Sequence, residues 1–458
     1  MIGVRLGVGH HFSGGFDSSA SAFFAATGIT GTTEQQAVNT LVTSLKSAGL
    51  WSKMKAVYPF VTDNRNLLSY SEDFSNAYWN KYRMTITGDT TTAPNGTTTA
   101  DTLSDTAVND AHQLYASLLS MSPNTYTFGF YVKAKDSTKN LAIYPFTISG
   151  AGGTGGGGVI LTQTGTFVAN IGAGVSSYNS VNVGNGWYRI SVTGYTTNTS
   201  ELRPIIGFAN GSNQTYLGDT TGVYIWGAQL ELGSTATTYQ PIATTQQSYI
   251  SNQFKYNLVN PVDSDAAFRG VFNGGWTFSN QGALPNGTNG YMDTKLNQAS
   301  VLTLNSSHFS YYSRTNSQID GFSGTTASSV LVGCQLYLRG GSYNNEIRAV
   351  IGQSGAGQQE MVASNTNSQG FYTLKRTSDV NSAIFKNGIS IATNTTQAIG
   401  VFGSYTLYLA ARNNLNSAQY FDNRQCAFSS IGDGLTDTEA TALYNAVQTF
   451  NTSLSRQV

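Results

Sequence analysis

Short runs in which apolar and polar residues alternate recur over most of this 458-residue chain. One run places Phe128, Phe130 and Val132 at every second position, and another does the same with Ile190 and Val192. Successive side chains of a β-strand point to opposite faces, so each run predicts a strand with one buried face. Many short strands of this kind predict a mainly β chain of antiparallel sheets packed as β-sandwiches.

Composition excludes several other classes of protein. Charged residues make up only 10% of the chain and balance to a net charge of zero, so a nucleic-acid-binding surface is not expected. The 26 Tyr, 23 Phe and 5 Trp residues supply enough large side chains for folded cores and argue against disorder. The length suits two or three domains.

The chain contains no run of 18 apolar residues, so we expect no transmembrane helix and no membrane insertion. Its first residues do not combine a basic region with an apolar stretch, and we therefore expect no secretory signal. Residues 1–22 are rich in glycine and have no clear period. They predict an extended arm or anchor that lies outside either core.

Two amphipathic helices are predicted near the two ends of the chain. Residues 33–49 carry apolar side chains at helical spacing, Leu41 and Leu45 among them. Residues 437–450 carry a similar stripe that follows Thr436, and Glu439 stands three residues beyond this threonine as in a capping box. We expect both helices to pack on the same β-sandwich.

The segment 66–79 reads NLLSYSEDFSNAYW, and the segment 223–241 reads VYIWGAQLELGSTATTYQP. APNGTTTADTL at 93–103, YTFGFYVKA at 126–134 and NGWYRISVT at 185–193 lie between them. In this order, the segments resemble the carbohydrate-binding-like β-sandwich modules of tailed-bacteriophage structural proteins. The resemblance implies that residues 63–250 form one complete module.

The flanking sequence resembles a second kind of module. TEQQAVNTLVTSLKSAGLWSKMKAVYPFV at 33–61 and the stretch from 254 onwards are similar to the laminin-G or concanavalin-like modules of phage tail proteins. In such modules the equivalent of YPFV runs almost directly into the equivalent of FKYNLVNP. The resemblance therefore implies a sandwich formed by residues 23–62 and 251–458, with the module at 63–250 inserted in a surface loop.

We find no residue constellation that predicts catalysis, so we expect a protein that is not an enzyme. Glu72 and Asp73 are neighbours in sequence and do not predict the facing carboxylates of a glycosidase. His10 and His11 lack further ligands at zinc spacing, and Asp422 and Asp433 do not belong to a dense acidic calcium loop. We therefore expect no metal and no cofactor. Cys334 is expected to be a buried free thiol.

Sugar binding requires aromatic faces and polar groups that reach hydroxyls. If Ile190 faces the core, then Trp187, Arg189 and Tyr195 share the opposite face of their strand. Tyr131 and Lys133 face outward in the same way if Phe130 faces inward. These five residues are our candidate glycan-binding residues, although Trp187 could instead cover the edge of the sandwich and Arg189 could serve only solubility.

The two resemblances imply two antiparallel, jelly-roll-like β-sandwich modules in a structural protein on the surface of a bacteriophage virion, as a fibre, a spike or a head decoration. We expect its modules to attach weakly and repeatedly to host surface glycans, since many copies on one particle multiply avidity. Its expected partners are other virion proteins, bound through the N-terminal arm, host glycans and further copies of itself. One alternative is a purely architectural role in the virion, and another is an extracellular bacterial adhesin.

Overall fold

The structure is a computed structural model that describes residues 15–117, 119–120, 122–148, 157–196, 201–319, 332–340, 345–353, 360–397 and 401–458. Within these residues the chain is mainly β, and its paired strands are antiparallel. It divides into two compact units. Residues 64–249 form the inserted unit, and the described residues up to Asp63 form the outer unit together with Ile250–Val458.

The outer unit begins with two helices and a strand, which are α1 (Ser18–Thr27), α2 (Thr32–Ser47) and β1 (Met54–Tyr58). The side chain of Asp17 caps α1 by accepting a hydrogen bond of 2.8 Å from the Ser19 amide. Ala20 and Phe23 are buried in the same core as α2. The arm predicted over residues 1–22 therefore overlaps a packed helix from Ser18 onwards, while residues 1–14 lie outside the described part.

The inserted unit is built from fifteen described strands, which form two large sheets and one small one. The strands are β2 (Trp79–Tyr82), β3 (Met84–Thr91), β4 (Ala100–Asp105), β5 (Asn109–Ala111), β6 (Gln113–Ala116), β7 (Leu119–Ser120), β8 (Asn124–Ala134), β9 (Asn140–Ile148), β10 (Gly158–Leu161), β11 (Phe167–Ile171), β12 (Val175–Gly184), β13 (Trp187–Thr196), β14 (Glu201–Ala209), β15 (Thr215–Leu217) and β16 (Gly222–Leu232). The six-stranded sheet has the order β12-β13-β8-β16-β4-β3. The seven-stranded sheet has the order β11-β10-β9-β14-β6-β2, with β7 added beside β14, and β5 pairs with β15.

One apolar core joins the two large sheets of the inserted unit, and so makes this unit a β-sandwich. Phe128, Phe130 and Ile190 of the six-stranded sheet are fully buried in it, together with Ile143 and Ile206 of the seven-stranded sheet. The alternation in β8 and β13 therefore predicts the buried face of both strands correctly.

The rest of the outer unit follows helix α3 (Gln246–Phe254), which spans the boundary between the two units. The elements after α3 are β17 (Val271–Asn273), β18 (Trp276–Ser279), β19 (Gly282–Pro285), β20 (Tyr291–Asn297), α4 (Gln298–Val301), β21 (Ser307–Ser313), β22 (Val332–Gly340), β23 (Glu346–Gln353), β24 (Met361–Ser364), β25 (Gly370–Ser378), β26 (Asn381–Lys386), β27 (Ile389–Asn394), β28 (Thr406–Leu409), β29 (Arg412–Asn414), β30 (Ser417–Gln419), β31 (Cys426–Gly432) and α5 (Asp437–Ser453). The largest described sheet of the outer unit has the order β18-β19-β31-β21-β25-β26-β27, and β1 also pairs with β31. Smaller sheets have the orders β17-β20-β28, β22-β23-β24 and β29-β30.

Helices α2 and α5 pack together on the large sheet of the outer unit. Leu41 and Leu45 of α2 share one buried cluster with Leu443 and Val447 of α5, which confirms that both helices belong to the same module. Thr436 and Glu439 form the predicted capping box, in which each side chain accepts from the backbone amide of the other residue.

Cys334 and Cys426 are both free and buried, as predicted for Cys334. Burial raises the pKa of the Cys334 thiol to about 12, so this group is a neutral core side chain at physiological pH. Among the residues that the structure describes, no helix has the length and apolar character needed to cross a membrane.

Candidate functional site

Two rows of side chains cross the middle of the six-stranded sheet, on the face that points away from the core of the inserted unit. We call this the outer face. In the first row Arg189 of β13 lies opposite Tyr131 of β8, which lies opposite Trp226 of β16. Residues directly opposite each other in antiparallel strands share one face. The second row, two residues further along, consists of Trp187, Lys133 and Tyr224.

The two tryptophans of these rows are covered by the segment that joins β3 to β4. Trp187 is only 1% exposed, and its indole nitrogen donates to the Thr92 carbonyl oxygen at 3.1 Å. Trp226 is 4% exposed and donates to Thr99 Oγ1 at 3.0 Å. Trp187 thus lies on the predicted face but offers no surface to a ligand, because it holds this segment in place instead.

Tyr131 is the centre of an aromatic cluster on the outer face. Its ring centre lies 5.1 Å from that of Trp226 and 5.9 Å from that of Tyr239, and the Trp226 and Tyr239 rings are 4.8 Å apart. The Arg189 guanidinium lies 5.6 Å from the Tyr131 ring centre, within the range of a cation–π contact. Burial raises the pKa of Tyr131, and the Arg189 charge opposes this rise.

A bulge in β16 makes room for this cluster. Gly227 has a φ of +62°, and the strand register shifts between Trp226 and Gln229. A Cβ atom on Gly227 would lie 3.0 Å from the Tyr131 ring and 3.3 Å from the Tyr239 ring. Only glycine therefore suits both the backbone conformation and the space at this position.

Tyr239 joins the cluster to a half-buried carboxylate. Its hydroxyl donates to Glu72 Oε1 at 3.2 Å and lies 2.7 Å from Ser71 Oγ. Burial raises the pKa of Glu72, and the Tyr239 hydrogen bond partly offsets that effect. Burial also raises the pKa of Tyr239 well above its ordinary value, so its hydroxyl remains a proton donor at physiological pH.

The segment that carries Tyr239 is tied to the outer face by buried polar side chains. Glu231 accepts from Thr237 Oγ1 at 2.6 Å and from Gln229 Nε2 at 2.8 Å. Gln229 Oε1 in turn accepts from the Gln240 amide at 2.7 Å. This network turns the chain back over the sheet directly after β16. The candidate residues chosen from β8 and β13 did not include Tyr239, because nothing in its local sequence indicates this turn.

A cleft lined mainly by hydroxyl and amide side chains lies beside the Arg189 row. Its volume is about 150 Å³. Asn179 of β12 lies opposite Ser191 of β13, which is two residues beyond Arg189. Ser177 lies opposite Thr193, two residues further along β13. We call it the hydroxyl cleft, and its lining residues are Ser177, Tyr178, Asn179, Ser191, Thr193, Ser234, Thr235 and Ala236. Such groups can donate hydrogen bonds to sugar hydroxyls and accept hydrogen bonds from them.

The structure thus brings together four of the five predicted residues, Tyr131, Lys133, Arg189 and the covered Trp187. Tyr195 is 55% exposed on the same strand as Arg189 but six residues further along, which corresponds to roughly 20 Å. It therefore does not belong to the group around Tyr131. Glu72 and Tyr239 are additional members that the strand pattern alone did not identify.

The other groups considered for chemistry are engaged elsewhere. Asp422 is fully buried and forms an ion pair of 3.0 Å with Arg424, and Asp433 forms one of 2.9 Å with Lys55. His10 and His11 lie outside the described residues. In the part of the chain that the structure describes, no three His, Cys, Asp or Glu side chains are grouped so that they could hold a metal ion.

No protein-family model matches the chain, and no curated protein does. Similar solved structures include the enzymatically active domain of tailspike protein 4 from bacteriophage CBA120, at 19% identity and a TM-score of 0.22. The match covers 36% of this chain and 21% of the tailspike domain, so the chain spans about a fifth of that domain. A second is TmCBM61 in complex with β-1,4-galactotriose, at 12% identity and a TM-score of 0.23. The match covers 37% of this chain and 100% of TmCBM61. A third is the CBM22-1–CBM22-2 tandem domain of Paenibacillus barcinonensis Xyn10C, at 11% identity and a TM-score of 0.24. The match covers 81% of this chain and 98% of the tandem domain. At TM-scores this low, the assignment of the chain as mainly β rests on its own strands and sheets.

Proposed function

We propose that the inserted unit binds glycans through the outer face of its six-stranded sheet. The observation that carries this proposal is the hydroxyl cleft, which opens directly beside Arg189 and Tyr131 on adjoining strands. Hydroxyl and amide groups can pair with sugar hydroxyls, while a half-buried tyrosine supplies apolar surface next to them. The rigid sheet holds these groups before the ligand arrives, which reduces the entropy that binding costs.

A glycan array probed with the full chain tests the proposal. Asn179 is exposed at the cleft on an edge strand, and Asn170 is exposed on the edge strand of the other sheet. Asn179→Trp should block the cleft and reduce glycan binding at least tenfold, whereas Asn170→Trp should leave it unchanged. An array without reproducible binding, or equal binding by the wild type and Asn179→Trp, would contradict the proposal.

We further propose that the chain is a non-enzymatic virion protein of a tailed bacteriophage. The sequence resemblance of both units to phage structural modules supports this role. Antibodies against the chain should label intact virions in electron microscopy, and a bound glycan should keep its length on prolonged incubation with the protein. Unlabelled virions would contradict the location, and newly formed chain ends on the glycan would contradict the absence of catalysis.

A purely architectural role is the second candidate, and strand β12 favours it. This edge strand carries exposed Tyr178, Val181 and Val183 and no charged residue. Natural edge strands usually carry charges or proline that prevent pairing with other chains. An edge strand that has neither can pair with a strand of another virion protein. Tight binding of the full chain to another virion protein, together with no detectable binding on the glycan array, would favour this role.

A further inference from the structure

We propose that the ligand of the outer face is an anionic saccharide, whose carboxylate or sulfate group lies between Arg189 and Lys133. This inference rests on the proposed glycan-binding function and names the chemical class of the ligand. The evidence is the position of the two cations, the surfaces against which they lie, and the lack of an acidic partner for either among the described residues.

Strand register places the two cations side by side. Arg189 lies opposite Tyr131, and Lys133 is two residues beyond Tyr131 on the same strand. The two cations are therefore diagonal neighbours on one face, about 7–8 Å apart at the backbone. Their side chains are long enough to reach a single anionic group from two sides.

In the part of the chain that the structure describes, neither cation is paired with a carboxylate. Among the described residues, the side chains of Arg189 and Lys133 form no ion pair and no hydrogen bond, although side chains of other cations in the same unit do. Lys139, for example, forms an ion pair of 2.6 Å with Asp219. The one carboxylate that we assign to this face, Glu72, accepts from the Tyr239 hydroxyl and pairs with neither cation, so Arg189 and Lys133 leave a local positive potential beside the hydroxyl cleft.

Both cations also lie against the protein surface. The Arg189 guanidinium packs over the Tyr131 ring, with 5.6 Å between the guanidinium carbon and the ring centre. The Lys133 side chain runs beside Gly186, where an added Cβ would lie 3.6 Å from Lys133 Cε. Both side chains are half-buried. Less conformational entropy is lost when an anion binds to side chains that are already held, and charge-assisted hydrogen bonds are stronger than neutral ones.

The position of the hydroxyl cleft explains why the anion should belong to a sugar. Ser191 follows Arg189 at the next outward position of β13 and lines the cleft. A saccharide whose hydroxyls enter the cleft would place a substituent of the same or the next ring beside Arg189. A free anion would use only the two cations, whereas an acidic saccharide would use both parts of the face.

The test measures how the full chain binds glycans that differ only in charge. Oligogalacturonates and their methyl esters form one such pair, and sulfated and unsulfated chondroitin oligosaccharides form another. We expect at least one anionic form to bind roughly tenfold more tightly than its partner, with an advantage that declines as salt is added. Arg189→Gln and Lys133→Gln should each remove most of that advantage without lowering the melting temperature. Lys135→Gln is the matched control, because Lys135 already pairs with Asp136.

The possible outcomes separate the two proposals. Equal binding of charged and neutral partners would overturn the anionic class and leave glycan binding intact. A preference for the anion that survives both substitutions would overturn the assignment to Arg189 and Lys133. The absence of binding to any glycan would overturn the proposed function itself.

Discussion

The guanidinium of Arg456 donates a hydrogen bond of 2.7 Å to the carbonyl oxygen of Phe60, although the two residues are 396 positions apart. Its other nitrogens donate to Pro59 and Ala427 carbonyls and to Asn451 Oδ1, at 2.7–2.9 Å. Arg456 is fully buried and forms no ion pair with a described acidic residue. Burial lowers its pKa to about 9, so it is still a cation at neutral pH.

Replacing this buried cation should destabilise the outer unit. Arg456→Met retains most of the volume but removes the hydrogen bonds that the carbonyls of Pro59, Phe60 and Ala427 accept, at a cost of roughly 3 kcal/mol or more. Denaturant unfolding would measure the loss. Arg269→Met is the control, because Arg269 forms only exposed ion pairs and its replacement should change stability little. Equal stability of the two variants would contradict the prediction.

A charge introduced into helix α2 should unfold the outer unit alone. Leu45 is fully buried with Leu443 and Val447, so Leu45→Asp places an unpaired carboxylate in the core and costs several kcal/mol. Thr43→Asp, on the exposed face of the same helix, should have little effect. Two calorimetric transitions in the wild type should become one shifted and one unshifted transition in Leu45→Asp. A shift of both would contradict independent cores.

The inserted unit should fold when it is expressed alone. All its strands, β2 to β16, are contiguous in sequence and share their own core. A fragment of residues 64–249 should therefore unfold in one cooperative transition, with a melting temperature close to that of this unit in the full chain. A fragment that is aggregated, or that lacks a cooperative transition, would show that this unit needs the rest of the chain.

The outer unit should lose stability in mild acid through His308. This side chain is 1% exposed, with Nδ1 2.7 Å from the Asp433 carbonyl oxygen and Nε2 3.1 Å from Ser430 Oγ. Desolvation lowers its pKa from 6.5 to about 4. The unfolded chain therefore binds a proton at a higher pH than the folded chain. Stability is fully present above pH 6.5 and is lost as pH falls towards 4, by about 1.4 kcal/mol per pH unit.

His308→Gln provides the comparison, since glutamine does not titrate. Between pH 6.5 and 5, the stability of the wild-type outer unit should fall more steeply with pH than that of the variant. Hydrogen exchange of amides in β21 and β31 reports this unit separately from the inserted one. Parallel pH profiles of the two proteins would show that His308 is not responsible.

The sequence predicts local structure best where the residues of a single helix or strand determine it. The alternation around Phe130 and Ile190 indicates the buried faces of β8 and β13, because side-chain direction follows directly from strand period. The capping box of Thr436 and Glu439 is equally local. Helix α1 was missed because SSASAFFAAT mixes small and aromatic residues without a clear polar face, so helical periodicity gives little signal.

The candidate site was only partly predictable, because its surroundings come from distant segments. The alternation of side chains along β13 places Trp187 on the outer face, but the segment around Thr92 that covers it lies 95 residues earlier in the chain. Tyr239 reaches Tyr131 only because the bulge at Gly227 and the turn after Glu231 redirect the chain. Such tertiary contacts produce no periodic pattern in the sequence of either segment.

The pairing of β1 with β31 has a consequence for how the chain is made on the ribosome. Strand β1 ends at Tyr58, and its partner begins at Cys426. At about 5–20 residues per second, translation separates the two by roughly 20–70 s. During that interval the whole of the inserted unit emerges and has time to fold, while β1 and helix α2 lack the surface on which they pack. The first strand of the outer unit thus depends during synthesis on avoiding wrong partners, such as the same strand of a neighbouring nascent chain.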